Sequence, residues 1–150
     1  MRRSMATERK MILVPVDFEG ASRRAIETAQ WLAAAIDAEL VLLHVHDQPG
    51  FAHPELSGEM VARIELLVEQ AAQKSLADLA AEAGVERTEF RSGDAAERII
   101  EVATELRPAM IVMGTHGRRG LNRFFMGSVA AHVVRAAPVP VVTVRLGTER

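Results

Sequence analysis

The chain has 150 residues, 49% of them hydrophobic, with eighteen basic and twenty acidic side chains and a formal net charge of -2. That length suits one domain with a buried core, and the charge balance disfavours nucleic acid, whose phosphates require a clustered surplus of cations. Cysteine is absent, which excludes disulfide scaffolds, cysteine zinc sites and thiol catalysis.

Wholly apolar runs, such as 33–36 and 110–113, fall far short of the ~20 residues a bilayer span needs. Residues 1–10 are polar and lack the apolar stretch of a secretory signal, so they read as a tail on a cytoplasmic protein. Met5 is an alternative start. Residues 11–146 then form the domain, and 147–150 a C-terminal tail.

The first element, 11–16 (MILVPV), has the length and branching of a buried strand. Ala21, Ala25, Ala29, Leu32 and Ile36 recur at helical spacing and predict a helix over 22–37. Residues 40–45 (LVLLHV) form a second strand, apolar enough for burial on both faces. A loop rich in proline, glycine and histidine follows at 48–54. The longest helix spans about 56–83, with Met60, Ile64, Leu67, Val68, Ala71, Leu79 and Ala83 in period and Gly84 as its stop. Residues 85–91 alternate weakly as a third strand. Asp94 opens a helix whose inner face carries Ile99, Ile100, Ala103 and Leu106, ended by Pro108. A fourth strand at 110–113 leads into a glycine-rich loop, a short helix at 129–136 and a last strand at 139–144.

Strands alternating with helices predict a single-domain, doubly wound, five-stranded parallel sheet of order 3-2-1-4-5, Rossmann-like, with helices on both faces. In such sheets a ligand sits beyond the carboxyl ends of the strands, where the order reverses. Here the reversal lies between the first and fourth strands. Their exits are Pro15, Val16 and Asp17 on one side, and Met113, Gly114, Thr115, His116 and Gly117 on the other.

Four of the ten glycines, Gly114, Gly117, Gly120 and Gly127, crowd the segment after the fourth strand. Glycine there lets the backbone turn freely and a ligand approach closely. Gly127 and Ser128 open the next helix, whose N–H groups and dipole suit a phosphate. Arg118, Arg119 and Arg123 add local charge. Each feature has a plainer reading: Gly114 ends a strand, Ser128 caps a helix, and the arginines are a solvated face. Their convergence at the switch point favours a ligand. No GxxxxGK[ST] is present, and no GxGxxG follows the first strand, so neither a Walker-type site nor a dinucleotide dehydrogenase is indicated.

Gly114 and Gly117, then nine residues, then Gly127-Ser128 form the pattern G-x2-G-x9-G-[ST]. With ILVPVDF, LLHV, GTHGRRGL and PVPVVTVR, this pattern resembles the universal stress protein family, in its ATP-binding branch, from about 11 to 145. The resemblance implies an adenine nucleotide, with Pro15 and Asp17 at the adenine and ribose end. It implies that the Val45 backbone reads the adenine edge, and that Met113, Gly114, His116 and Gly117 border the ribose and phosphates. Gly127, Ser128 and Val129 would hold the phosphates, with Mg²⁺ bound through them. Two departures stand out: Glu19, where a small residue is common, and Gly93-Asp94-Ala95, where Gly-x-Pro is frequent.

Asp17 reads as a ribose or metal contact, or as a cap of the first helix. Asp94 with Glu97 forms a capping-box-like pair. His44 and His46 share a strand face, but no third ligand accompanies them, and His44 reads better as a packed, hydrogen-bonded strand residue. Trp31 and the phenylalanines form no stacking series for single-stranded nucleic acid. Val139, Val141, Val142 and Val144 form an apolar sheet edge only partly blunted by Pro140; this and the resemblance predict a homodimer through that strand.

The expected function is a nucleotide-binding regulatory module for stress response, whose loops at 48–54 and 114–126 respond to ATP. One rival is a slow ATP hydrolase, with Asp17 as its one well-placed carboxylate. Another is a binder of cyclic AMP or another adenylate.

Overall fold

The computed structural model describes residues 9–47, 54–115 and 126–145. Nearly all of the two predicted tails and of the 48–54 loop lies outside these residues. So do His116, Gly117, Arg118, Arg119, Gly120 and Arg123.

Among the described residues nine elements alternate: β1 (Lys10–Pro15), α1 (Gly20–Ile36), β2 (Ala38–His46), α2 (Gly58–Ala83), β3 (Arg87–Ser92), α3 (Ala95–Leu106), β4 (Met110–Gly114), α4 (Ser128–Ala136) and β5 (Val141–Val144). All strand pairs are parallel, and the order is β3-β2-β1-β4-β5. The doubly wound sheet expected from the alternation is the fold observed.

The period-2 geometry of β1 sorts its side chains between two cores. Ile12, Val14 and Val16 pack with Ala25, Ala29 and Leu76 on the α1/α2 face. Leu13 packs with Ile99, Val102 and Val133 on the α3/α4 face. Burial on both sides explains why β1 and β4 read as unbroken apolar runs.

Boundaries shift for local reasons. α1 ends at Ile36 because Asp37 takes a left-handed conformation (φ 53°), and β2 starts at once with Ala38. Gly84 closes α2 with φ 67°, its N–H reaching the carbonyls of Ala80 and Ala81. Asp94 caps α3, accepting from the Glu97 N–H at 2.9 Å, so the capping reading of that pair holds. β5 begins at Val141 rather than 139. Pro138 and Pro140 have no N–H to give a ladder, although the Pro140 carbonyl still accepts from the Ile111 N–H at 2.9 Å. Gly127 is the N-cap of α4 and Ser128 its first helical residue, so Ser128 is not the cap.

The larger correction concerns α2. Its buried residues are Leu76 and Ala80, with Leu79 and Ala83 packed beside them. Met60, Ile64, Leu67 and Val68, expected on the same inner face, are exposed. Nine residues separate Leu67 from Leu76, about two and a half turns, which sets them on opposite sides of the helix.

α1 crosses β4 so closely that a Cβ on Gly114 would stand 2.7 Å from the Ala21 Cβ, against 3.4 Å from its carbonyl carbon. Gly114→Ala therefore forces α1 and β4 apart, and overpacking of this kind costs about 1–3 kcal/mol. Urea unfolding should show that loss, and a double-mutant cycle with Ala21→Gly should recover most of it. A full loss persisting in the double variant would refute this packing role.

Candidate functional site

The carboxyl ends of β1 and β4 diverge at the switch point and leave a cleft of about 440 Å³. Its floor is Pro15, Val16, Met113 and Gly114, and its walls come from three helix starts: Ala21 and Ser22 of α1, Ala95 of α3, and Ser128 to Ala130 of α4. A larger concavity of about 880 Å³ lies near the amino ends of β1 and β2, where α3 finishes. There the end of α3 lies among the cations Arg9, Lys10, Arg87 and Arg107 and the acids Glu39 and Glu105, whereas the cleft at the carboxyl ends of the strands faces helix N–H groups.

The β1–α1 connection is held rigidly. The Val16 N–H donates to the Leu43 carbonyl at 2.8 Å, and the Val16 carbonyl accepts from His44 Nδ1 at 2.9 Å. A carbonyl only accepts, so Nδ1 carries the hydrogen. The His44 ring stacks on Phe18 with centroids 4.3 Å apart. Phe18 has φ 68°, a left-handed backbone that costs a bulky residue about 1–2 kcal/mol. The stack and the hydrogen bond help hold it there. Phe90 leans on His44 and stacks on His46, extending the aromatic group along the carboxyl ends of β2 and β3. The packed, hydrogen-bonded reading of His44 is what the structure displays.

Asp17 joins the start of α1 without being its N-cap, a position held by Glu19, whose side chain makes no capping bond. Asp17 Oδ1 accepts from the Glu19 N–H at 3.0 Å and from Ser22 Oγ at 2.7 Å. The Asp17 N–H donates back to Ser22 Oγ at 2.9 Å. Ser22 is buried, whereas the sequence alone marks it only as a helix residue. The signal for it was a serine five residues after an aspartate at a strand exit.

At the opposite wall the start of α4 has no side-chain cap among the described residues. α2 and α3 have their first turns capped by the Ser57 and Asp94 side chains. α4 begins at Gly127 with no side-chain cap and no acidic residue in its first turn. Among the described residues no side chain caps its leading N–H groups, which a helix cannot satisfy internally and which suit an anion. Thr115, noted in the sequence only as part of the strand exit, anchors this wall. Its carbonyl accepts from the Gly127 N–H at 2.7 Å, and its own N–H donates to the Val144 carbonyl at 3.0 Å.

Of the expected site residues, Pro15, Val16, Asp17, Met113, Gly114, Gly127, Ser128 and Val129 line this one cleft. Val45 does not line it; its side chain packs with the α3/α4 core at the exit of β2. His116, Gly117 and Arg118 lie outside the described residues. Ile99 and Ala130 join the lining unannounced, because their place depends on how α3 and α4 dock.

Comparison with known proteins agrees with this fold. A universal stress protein of Methanocaldococcus jannaschii is 37% identical over 139 residues, covering 91% of this chain and 82% of its own. The structure of UspA from Lactobacillus plantarum superposes with a TM-score of 0.71 at 27% identity, covering 91% of this chain and 97% of that one. A universal stress protein solved in complex with cAMP shares the fold, with a TM-score of 0.61 at 24% identity over 90% of this chain and 96% of its own. The model of the universal stress protein family matches residues 8–145. On its sheet order, its motifs and this match across almost its whole length, the chain belongs to the universal stress protein family.

Proposed function

We propose that this protein binds an adenine nucleotide, ATP with Mg²⁺, in the switch-point cleft, and acts as a regulatory module whose contacts with other proteins depend on that nucleotide. One observation carries the reading: an uncapped helix start, Gly127 to Ala130, opens into a cleft of ligand size.

The residues fit the group. Pro15, Val16, Met113 and Ile99 offer an apolar bed for a base. The first turn of α4 supplies N–H donors for phosphate oxygens, with the Ser128 hydroxyl beside them. Asp17, whose Oδ1 is already engaged, lies at the ribose side with Oδ2 to offer. Val45 would contribute through its backbone, and His116, Gly117 and Arg118 from the glycine-rich segment. Mg²⁺ fits as an ion held mainly by phosphates and water, a mode that asks for few protein carboxylates. The spacing of Gly114, Gly117 and Gly127-Ser128 supports ATP. The ATP pool it would sample is cytoplasmic.

A ligand regulates only by preferring one conformation, so nucleotide should change hydrogen exchange at 48–54 and 114–126. The direct test is the nucleotide released by heat from purified protein, followed by titration of ATP, AMP and cyclic AMP with and without Mg²⁺. Gly127 has φ -61° and ψ 157°, which any residue adopts. Gly127→Val should therefore keep the fold and weaken ATP at least about tenfold, roughly 1.4 kcal/mol, by crowding the helix start. Failure of ATP to bind sinks the proposal, and tighter binding of cyclic AMP reassigns the ligand.

We also propose a homodimer through β5. Among the described residues β5 pairs with β4 alone. The Pro140 and Val144 carbonyls bond toward β4, so Val141 and Thr143 present their backbone groups at the outer edge. Thr143→Pro removes an outer donor and no β4 bond. It should halve the mass measured by light scattering; an unchanged mass removes this interface.

A further inference from the structure

Ser22 is a polar residue on a face otherwise lined by small apolar ones. The other buried residues of α1 are Ala21, Ala25, Ile26, Ala29 and Ala33. Ser22 is only 4% exposed, and a buried hydroxyl is costly unless its hydrogen bonds are made. It makes two, both with one residue. Its Oγ donates to Asp17 Oδ1 at 2.7 Å and accepts from the Asp17 N–H at 2.9 Å. The single hydroxyl hydrogen is thereby assigned. Ser22 is not the cap of α1, a position that Glu19 holds. Its hydroxyl serves Asp17.

The consequence falls on the carboxylate. The Glu19 N–H donates to Oδ1 at 3.0 Å from the loop, and Ser22 Oγ donates to the same oxygen from the helix. The loop bond is the local turn an aspartate makes with the backbone two residues on. The helix bond is the one that refers the carboxylate to the frame of α1. Among the described residues Oδ2 accepts no hydrogen bond, and Asp17 and Ser22 both line the cleft. An ionised carboxylate oxygen only accepts, and its charge repels phosphate. In a nucleotide with its phosphates at the α4 start and its base on the apolar floor, the sugar lies between the two. The sugar is neutral and carries hydroxyl donors.

We propose that Ser22 is a positioning residue, which fixes Asp17 so that Oδ2 accepts from a ribose hydroxyl and the cleft selects a ribonucleotide over its deoxy counterpart. This rests on the adenine-nucleotide reading of the cleft. It adds which part of the ligand is discriminated, and which residue makes that discrimination through Asp17.

The test is calorimetric titration of the full chain with ATP and with 2′,3′-dideoxy-ATP, which keeps the base and all three phosphates. Wild-type protein should prefer ATP by about tenfold or more, the gain typical of a hydrogen bond to an ionised group. Ser22→Ala should cut that preference to about threefold or less by weakening ATP, with dideoxy-ATP within about twofold of wild type. Ser22→Thr keeps the hydroxyl and should restore the preference. Asp17→Ala should abolish it, and adding Ser22→Ala to that variant should change it no further, since the two residues act as one unit. If Ser22→Ala weakens both nucleotides equally, Ser22 only supports the fold and the proposal is overturned. Equal binding of ATP and dideoxy-ATP by wild-type protein overturns it without any variant, and leaves the nucleotide reading standing. A preference that Ser22→Ala removes for ATP over purine riboside triphosphate, but not over dideoxy-ATP, assigns Oδ2 to the adenine amine and also overturns it. If neither ATP nor dideoxy-ATP binds, the nucleotide reading falls and this proposal falls with it.

Discussion

The seat of α1 on β4 governs this molecule. No side chain fits at residue 114 because the Ala21 methyl occupies the space a Cβ would take. That approach fixes where α1 begins, and with it the Asp17–Ser22 pair that ties the β1 exit to the first helical turn. It also sets one wall of the cleft. Gly114 therefore has a packing role independent of any ligand, and the site inherits its shape from a helix–strand contact.

Around that contact the helix starts are treated differently. Ser57 and Asp94 cap α2 and α3 from their own side chains, which satisfies N–H groups and stabilises each helix by about 1 kcal/mol. α4 forgoes this at the point where it borders the cleft. Its stability must come instead from Ala130 and Val133, buried against the sheet, and from the Thr115–Gly127 hydrogen bond. A helix start left open where a cleft needs donors is a local weakness placed where binding can offset it.

The β1 exit is stabilised from the other side. His44 reaches across from β2 to the Val16 carbonyl and stacks on Phe18, whose backbone is left-handed. A strained residue persists where its surroundings over-determine it. The histidine pair that invited a metal reading is thus part of an aromatic group that shapes the loop carrying Asp17.

Much of this was legible in the linear chain. The apolar runs of β1, β2 and β4, the stop at Gly84, the cap at Asp94 and the parallel sheet order follow from periodicity and turn chemistry, which act over a few neighbouring residues. The switch point follows from topology, which pointed to Pro15, Val16, Asp17, Met113 and Gly114; Gly127 and Ser128 follow from the glycine-rich segment and its helix start, and Val129 from the family resemblance. Tertiary structure decided the rest. Whether Met60 or Leu76 is buried depends on how far the sheet extends beneath a 26-residue helix, and an apolar period carries no information about which side will be covered. The side chain of Val45 turned to the α3/α4 core, and Ile99, Ala130 and Ser22 entered the cleft, because helix docking rather than local sequence sets those distances. Sequence determines which surfaces want burial; only packing determines what they are buried against.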